Sequence, residues 1–484
     1  MKFDNSYARL PQRFYVRQSP VAVANPDLIR VNRPLAEYLG IDTGWLESEA
    51  GVQVIGGNRL PDGADPIATV YAGHQFGSWN PRLGDGRAIL LGEVIAADDQ
   101  RYDIQLKGSG LTPFSRGGDG RAPLGPILRE YIVSEAMAAL GIPTSRTLAA
   151  VTTGESVYRE QKLAGGVLAR VAKSHIRIGT LQFFASVNDN DGLKLLVEHV
   201  IARHYPEHIE AENSALALLQ QVMHRQASLI ARWQGTGFIH GVMNTDNMLL
   251  SGETIDHGPC AFMDVYDSAA VYSSIDHGGR YAYRNQPAIA HWNLACLAQT
   301  LMPLLAPAAE AAGEIAQQTL DEFPALYLQE YLGVLRHKLG LSTAQQDDET
   351  LIPDFLDLLE SNRCDFTLAF RRLSELAAGD APAQPLFEFP ESFRPWLTRW
   401  RERCTRESIN ATQRHAQMTT INPALIPRNH LVEAAIERAY ADDYSLFHRL
   451  TERLTRPFDY APGDADLATP PQPDQIVRQT FCGT

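Results

Sequence analysis

Asn247 and Asp256 lie nine residues apart, and the segment between them reads as two short strands, Met248-Leu249-Leu250 and Thr254-Ile255, turning at Ser251-Gly252-Glu253. A hairpin of that length returns the chain to its starting point, so the two oxygen-bearing side chains are predicted to meet as ligands for one hard cation. The surrounding half of the chain is patterned for helices, at residues 193–204, 215–235, 288–305, 308–338 and 352–378. Trp292, Leu294, Leu297 and Leu301 recur at helical spacing and are expected to be core packing. A metal-holding hairpin set among helices is the strongest constraint on what this chain folds into.

The wider segment runs His240-Gly241-Val242-Met243-Asn244-Thr245-Asp246-Asn247, then the hairpin, then Asp256-His257-Gly258. This is the spacing of a protein-kinase catalytic loop followed by its metal aspartate. The position of the kinase base holds Val242, which cannot accept a proton, and a carboxylate appears instead at Asp246. Asn244, Asp246 and Asn247 could serve only to cap a turn, as Asx residues often do. The second aspartate and an upstream lysine favour catalytic work by Asp246. That lysine, Lys107, ends a strand candidate at residues 101–107, and Glu130 lies 23 residues on, early in a helix candidate at 126–140. A strand lysine paired with a helix glutamate holds phosphate oxygens without wandering. Read singly, each is an ordinary surface charge.

Two glycine turns, Gly84-Asp85-Gly86-Arg87 and Gly117-Gly118-Asp119-Gly120-Arg121, could turn backbone N–H groups toward phosphates, although such turns are common in any fold. Arg82, Arg116, Arg170 and Arg177 lie in or near these segments, concentrating cations where a triphosphate would sit. His74 has no second His or Cys at ligand spacing and is expected to be a packed, hydrogen-bonded histidine.

A chain of 484 residues exceeds the roughly 250–300 at which single cores stop growing, so about three domains are expected. Hydrophobic residues at 44% and charged residues at 21% are those of a folded protein and exclude a mainly disordered chain. With 43 Lys+Arg against 57 Asp+Glu the formal charge is −14, which argues against a nucleic-acid backbone as partner. The five cysteines, Cys260, Cys296, Cys364, Cys404 and Cys482, form no Cys-x-x-Cys pair, so a reducing compartment is expected. No signal-like start and no run of about 18 uninterrupted apolar residues is found, so the expectation is a soluble cytoplasmic protein without a membrane partner. Residues 88–94 read as a second strand beside 101–107, and a short helix is expected near 34–39. The Pro- and Asp-rich stretch after Asp459 reads as a mobile linker.

The segments YAGHQFG, LGDGRAILLGE, LKGSGLTPFSRGGDGRA, REYIVSEAMAALGIPTSR, GFIHGVMNTDNM, IDHGP, DHGGRYAYRNQP and NPALIPRNHLVEAAI occur in one order along nearly the whole chain. In these it resembles the selenoprotein O family of protein adenylyltransferases, kinase-like proteins once called pseudokinases. The resemblance implies that ATP binds inverted relative to kinases and that AMP passes to Ser, Thr or Tyr hydroxyls of proteins, with pyrophosphate leaving; the enzyme itself is a further acceptor to be tested. By matching position it implies nucleotide contacts at Gly84, Gly86, Arg87, Lys107, Asp119, Gly120, Arg170 and Arg177. It implies Mg²⁺ or Mn²⁺ ligands at Asn247 and Asp256, a proton acceptor at Asp246, and Glu130 as partner of Lys107. It further implies a redox role for Cys482, third from the C-terminus. The partner cysteine of some bacterial relatives is absent, since the corresponding place reads Val271-Tyr272-Ser273-Ser274-Ile275; Cys260 is the substitute nearest the site in sequence, and a free thiol is the alternative.

The expected fold is therefore α+β, a protein-kinase-like two-lobed fold with a helical C-terminal extension. Its parts are an N-terminal extension over 1–60, an N-lobe over 61–180, a C-lobe over 181–330, a helical extension over 331–460 and a flexible tail over 461–484. The expected function is AMP transfer from ATP to protein hydroxyls. A phosphotransferase and a non-catalytic nucleotide-binding scaffold are the alternatives.

Overall fold

The computed structural model describes residues 1–378 and 385–481. Its strands are β1 (Tyr15–Arg17), β2 (Asp27–Val31), β3 (Ile67–Thr69), β4 (Gly73–Gln75), β5 (Ser78–Asn80), β6 (Ala88–Ile95), β7 (Arg101–Lys107), β8 (Ala122–Pro123), β9 (Arg146–Tyr158), β10 (Lys162–Ala172), β11 (Phe238–Ile239) and β12 (Ala261–Phe262). Helices α1 (Arg33–Tyr38), α2 (Thr43–Glu47) and α3 (Glu49–Ile55) precede the sheet's centre, and α4 (Leu124–Ala139) is embedded among its strands. Eight strands form one antiparallel sheet in the order β1-β3-β6-β7-β10-β9-β2, with β8 paired to β10. The molecule is thus α+β, with its large sheet in the first part of the chain. The first 60 residues supply two of the sheet's strands, β1 against β3 and β2 against β9.

Both faces of the sheet are covered. Val151, Val167 and Ala169 pack with Leu35, Leu46 and Ile55 of the short helices, whereas Ala150 and Leu168 point the other way, onto Ile127, Leu128 and Ile132 of α4. This alternation follows from the two-residue period of a strand, and it leaves β9 and β10 apolar on both sides. Neither strand is legible from alternation of polar and apolar residues.

The rest of the chain is helical: α5 (Ile178–Ser186), α6 (Asn190–His204), α7 (Ser214–Thr236), α8 (Gln286–Leu305), α9 (Ala309–Asp321), α10 (Phe323–Lys338), α11 (Asp348–Ser361), α12 (Phe366–Ala377), α13 (Arg394–Cys404), α14 (Ala411–Thr419), α15 (Asn429–Ala439), α16 (Ser445–Arg453) and α17 (Ala465–Ala468). The single helix expected over 308–338 is two, α9 and α10, broken at Glu322 ahead of Pro324 in the first turn of α10. Proline removes an N–H and crowds the preceding turn, so it starts a helix better than it continues one. The helix expected over 352–378 is likewise two, because Arg363 turns left-handed (φ 52°) and Asp365 caps α12 by accepting from Leu368 N at 2.8 Å. Among the described residues, 283–305 is the one helical stretch long and apolar enough to cross a membrane; half of its apolar window is buried, and Leu294, Leu297 and Leu301 sit in the core.

The expected mobile linker is docked where it begins. Arg453 clamps Asp464 with two bonds of 2.8 and 2.6 Å, and buried Arg428 donates to Ala468 O at 2.8 Å. Near the end of the described chain, Thr480 donates from Oγ1 to Pro259 O at 2.7 Å and from N to Tyr272 O at 2.7 Å. Cys482 lies outside the described residues.

Candidate active site

Lys107 ends β7 opposite Ala88 of β6 and Leu168 of β10, and Arg170 of β10 sits opposite Gln105. Period-two geometry places Gln105, Lys107 and Arg170 on one sheet face. That face floors a cleft of about 840 Å³ lined also by Gly84, Gly86, Arg87, Asp119, Gly120, Arg177, Asp246, Asn247 and Asp256. Every residue expected to touch nucleotide or metal lines this one cleft.

Glu130 lies just beneath it on α4. Its Oε2 accepts from Lys107 Nζ at 2.6 Å and its Oε1 from Arg170 Nε at 2.6 Å, all three side chains being at least nine-tenths buried. The expected lysine–glutamate pair is therefore part of a larger network, since Asp256 Oδ1 also accepts from Lys107 Nζ at 2.9 Å and lies 3.7 Å from Arg170. Burial pushes the Glu130 carboxyl up, but Arg170 and Lys107 outweigh it and hold the group at about 2. Burial likewise opposes ionisation of Asp256, and the charges of Lys107, Arg87 and Arg170 overcome it, keeping that carboxyl far below its usual range. Two carboxylates and two fixed cations thus lock β7, β10 and α4 to the segment after the hairpin.

The hairpin between Asn247 and Asp256 is present as a bridge between Met248 and Thr254, with Gly252 (φ 76°) at its turn. Asp256 itself is left-handed (φ 63°), a conformation that costs a non-glycine residue about 1–3 kcal/mol and is held here by the ion pairs around it. His240 Nδ1 accepts from Val242 N at 3.2 Å, which leaves Nε2–H to donate to Ile255 O at 2.9 Å. His240 therefore staples the loop to the hairpin as a neutral ring, its pKa lowered by burial.

Asp246 sits on the short turn Thr245–Asn247. Its Oδ2 accepts from Gln75 Nε2 at 3.2 Å, while Oδ1 is buried without a hydrogen-bond partner. Burial raises this carboxyl to about 6 against the lowering influence of Arg177. Val242 also lines the cleft and carries no polar atom in its side chain. The β4–β5 hairpin lies across this loop: His74 N donates to Thr245 Oγ1 at 2.8 Å and Phe76 N to Asn244 Oδ1 at 2.9 Å. Gln75 is thus a site residue that the sequence pattern does not mark, whereas Asn244, expected at most to cap a turn, also receives the β4–β5 hairpin. For Gln75 the signal in the chain is the YAGHQFG segment, in which His74 is the more conspicuous side chain. His74 is half-buried, within 3.0 Å of Gln182 Nε2 and against the Trp79 and Trp292 rings, as expected of a packed histidine.

The arginines divide. Arg177 donates to Asp246 O at 3.0 Å and lies 4.3 Å from the centre of the Tyr71 ring, so it braces the turn that carries Asp246 as well as lining the cleft. Arg116 lines the cleft, whereas Arg82 lies over the Phe114 ring at 5.8 Å and is not part of the lining. Asp119 is bound by Arg159 at 2.9 and 3.1 Å. Gly84 (φ 74°) and Gly120 (φ 68°) occupy backbone that only glycine fits, because a Cβ would lie 2.3 Å from the Phe114 ring and 2.1 Å from Gly110 O respectively. The glycines let the two loops fold tightly over the cleft.

Among the described residues no cluster of three or more His, Cys, Asp and Glu forms a metal cage. The donor set still suits a hard cation, because Asn247 commits Nδ2 to Val242 O at 3.0 Å and so keeps Oδ1 for a ligand, and Asp256 keeps its second oxygen. The chemistry the cleft can perform is binding of a charged phosphate chain beside a buried carboxylate.

Residues 1–455 match the family model for "Protein adenylyltransferase SelO". The "Protein nucleotidyltransferase YdiU" of Rhodopseudomonas palustris strain BisB5 is 57% identical over 486 residues, covering 100% of this chain and 99% of that one. The proteins of the same name from Bradyrhizobium diazoefficiens and Rhizobium meliloti strain 1021 are 57% and 56% identical, again over 100% of this chain and 99% of theirs. With its cleft, its ion-pair network and this full-length similarity, the chain belongs to the SelO/YdiU family of protein adenylyltransferases.

Proposed function

We propose that this enzyme transfers AMP from ATP to Ser, Thr or Tyr hydroxyls of proteins, its own chain among them, within a kinase-like two-lobed fold. The sheet with α4, ending near residue 180, serves as the N-lobe; residues 181–330 serve as the C-lobe and 331–460 as a helical extension. The observation that carries the reading is the pairing of Val242 with Asp246: the place of a γ-transferring base is apolar, and a buried carboxylate with one unpartnered oxygen stands four residues on.

ATP then lies with its α-phosphate toward Asp246, and Lys107 and Arg170, fixed by Glu130, meet phosphate oxygens from the sheet side. Arg87, Asp119, Arg177, Gly84, Gly86 and Gly120 complete the nucleotide's surroundings. Asn247 and Asp256 are the residues that would hold Mg²⁺ or Mn²⁺, which when bound supplies charge to neutralise phosphate oxygens. The acceptor hydroxyl oxygen attacks the α-phosphorus while its proton passes to Asp246. The bond from that phosphorus to the bridging oxygen breaks, and pyrophosphate leaves with its charge facing Lys107. The four described cysteines are free and buried, which accords with work in the reducing cytoplasm.

Labelled ATP tests the reading. Label from the α-phosphate, and none from the γ-phosphate, should appear on acceptor protein, and Asp246→Ala should abolish it while nucleotide still binds. Transfer of γ-label alone would make the enzyme a phosphotransferase, and absence of both would make it a nucleotide-binding scaffold.

A further inference from the structure

A second cavity, of about 620 Å³, shares no lining residue with the active cleft. Strand β10 separates the two: Arg170 lines the first, and residues 171–173 line the second. Its other walls come from α1, from the loop after α4, from α7, and from Ser251, Gly252 and Glu253, which form the turn of the hairpin bearing Asn247 and Asp256.

Its charges are unusual for an acidic chain. Lys173, Arg225 and Arg232 line the cavity, and among the described residues none of them forms an ion pair with a carboxylate, although the charge of Lys173 acts on Glu253 and Arg225 lies 4.3 Å from the centre of the Tyr205 ring. Arg225 donates instead to the carbonyls of Ser251 at 2.9 Å and His204 at 2.8 Å, and Arg232 to that of Gly141 at 2.7 Å. Backbone carbonyls orient a guanidinium without cancelling its charge. Arg146, the fourth cation, is paired with Glu135. The one lining carboxyl, Glu253, accepts from Ser251 Oγ at 2.7 Å and Lys173 N at 3.0 Å through a single oxygen. In a chain of formal charge −14, three cations without an ion pair around one concavity that carries a single carboxyl make a local concentration of positive charge.

We propose that this cavity binds a phosphoryl-rich anion, of the pyrophosphate or nucleoside-polyphosphate class, as a second site distinct from the catalytic cleft. The volume falls in the range of small-molecule pockets, and arginine with lysine is the side-chain set that binds phosphate. An anion seated there touches the hairpin turn between Asn247 and Asp256, so occupancy is coupled to the geometry of the active cleft.

Isothermal titration of the full-length protein with inorganic pyrophosphate, and separately with α,β-methylene-ATP, tests this. At least one probe should bind the wild type in two equivalents. Lys173→Glu/Arg232→Glu should lose or weaken one of them by at least about tenfold while the other is unchanged. Both side chains are exposed, and a Lys173→Gln/Arg232→Gln variant checks that reversal does not act through misfolding. A second equivalent of pyrophosphate alone assigns the site to the inorganic anion, and of the analogue alone to nucleotide; either supports the proposal. A single equivalent for both probes, or two equivalents with equal affinity in wild type and reversed variant, overturns it.

Discussion

Glu130→Gln and Lys107→Met should rank in opposite orders for stability and for activity. In Glu130→Gln, Lys107 and Arg170 both lose the carboxylate that each touches at 2.6 Å, and they are left 5% and 6% exposed with only Asp256 to share. Stranding buried charge by removing one partner costs roughly 3–5 kcal/mol. In Lys107→Met, Glu130 keeps Arg170 at 2.6 Å and Asp256 keeps it at 3.7 Å, so each carboxylate retains a cation. The loss is then that of charged hydrogen bonds, roughly 1.5–3 kcal/mol. In the proposed mechanism the Lys107 ammonium also faces the phosphate chain, so Lys107→Met should lower turnover by about 10²–10³-fold. Glu130→Gln only loosens that cation, and its defect should be smaller. Urea unfolding followed by circular dichroism gives the first ranking, and transfer of α-labelled AMP gives the second. If Lys107→Met proved the less stable of the two, or if both fell equally in both assays, the shared network would be wrong and a simple isolated pair would replace it.

Three other expectations follow from particular contacts. Gln75→Ala removes a side-chain hydrogen bond to the Asp246 carboxylate and should cut kcat by roughly tenfold or more with the KM for ATP little changed; an unaltered kcat would deny Gln75 a positioning role. Gly120→Ala forces a Cβ onto Gly110 O in left-handed backbone, so it should destabilise by more than about 1 kcal/mol in thermal unfolding, and an unchanged Tm would mean that the loop shifts freely. Lys338 is buried with no carboxylate in an ion pair among the described residues, 4.3 Å from the Phe370 ring centre, and burial lowers it to about 7, below its unfolded value of 10.5. Over that window the unfolded chain binds the extra proton, so wild-type stability gains from this residue as pH rises and loses it as pH falls through 7. Lys338→Met should therefore stabilise more at pH 6 than at pH 9, and an equal effect at both would show that Lys338 stays charged.

Features under short-range geometric control are legible in the amino-acid sequence. The period-two pattern before Lys107, the helix of Glu130, and the return of the chain from Asn247 to Asp256 all depend on dihedral preferences within a few residues, and each was legible. Membership of the family was equally legible, because long segments in order carry it. The breaks at Glu322 and near Arg363 were not, since helical periodicity runs on across them and only a proline and a left-handed residue interrupt it. Strands β9 and β10 were hidden because helices cover both faces of the sheet, which removes the polar half of the usual alternation. Packing of the whole chain is what brings Glu130 to Arg170 as well as Lys107, Gln75 to Asp246 from 171 residues away, and Lys173, Arg225 and Arg232 together beside the hairpin turn. Such partners are chosen by how sheet, helix and loop pack, and no local pattern in the chain encodes which distant side chain will arrive.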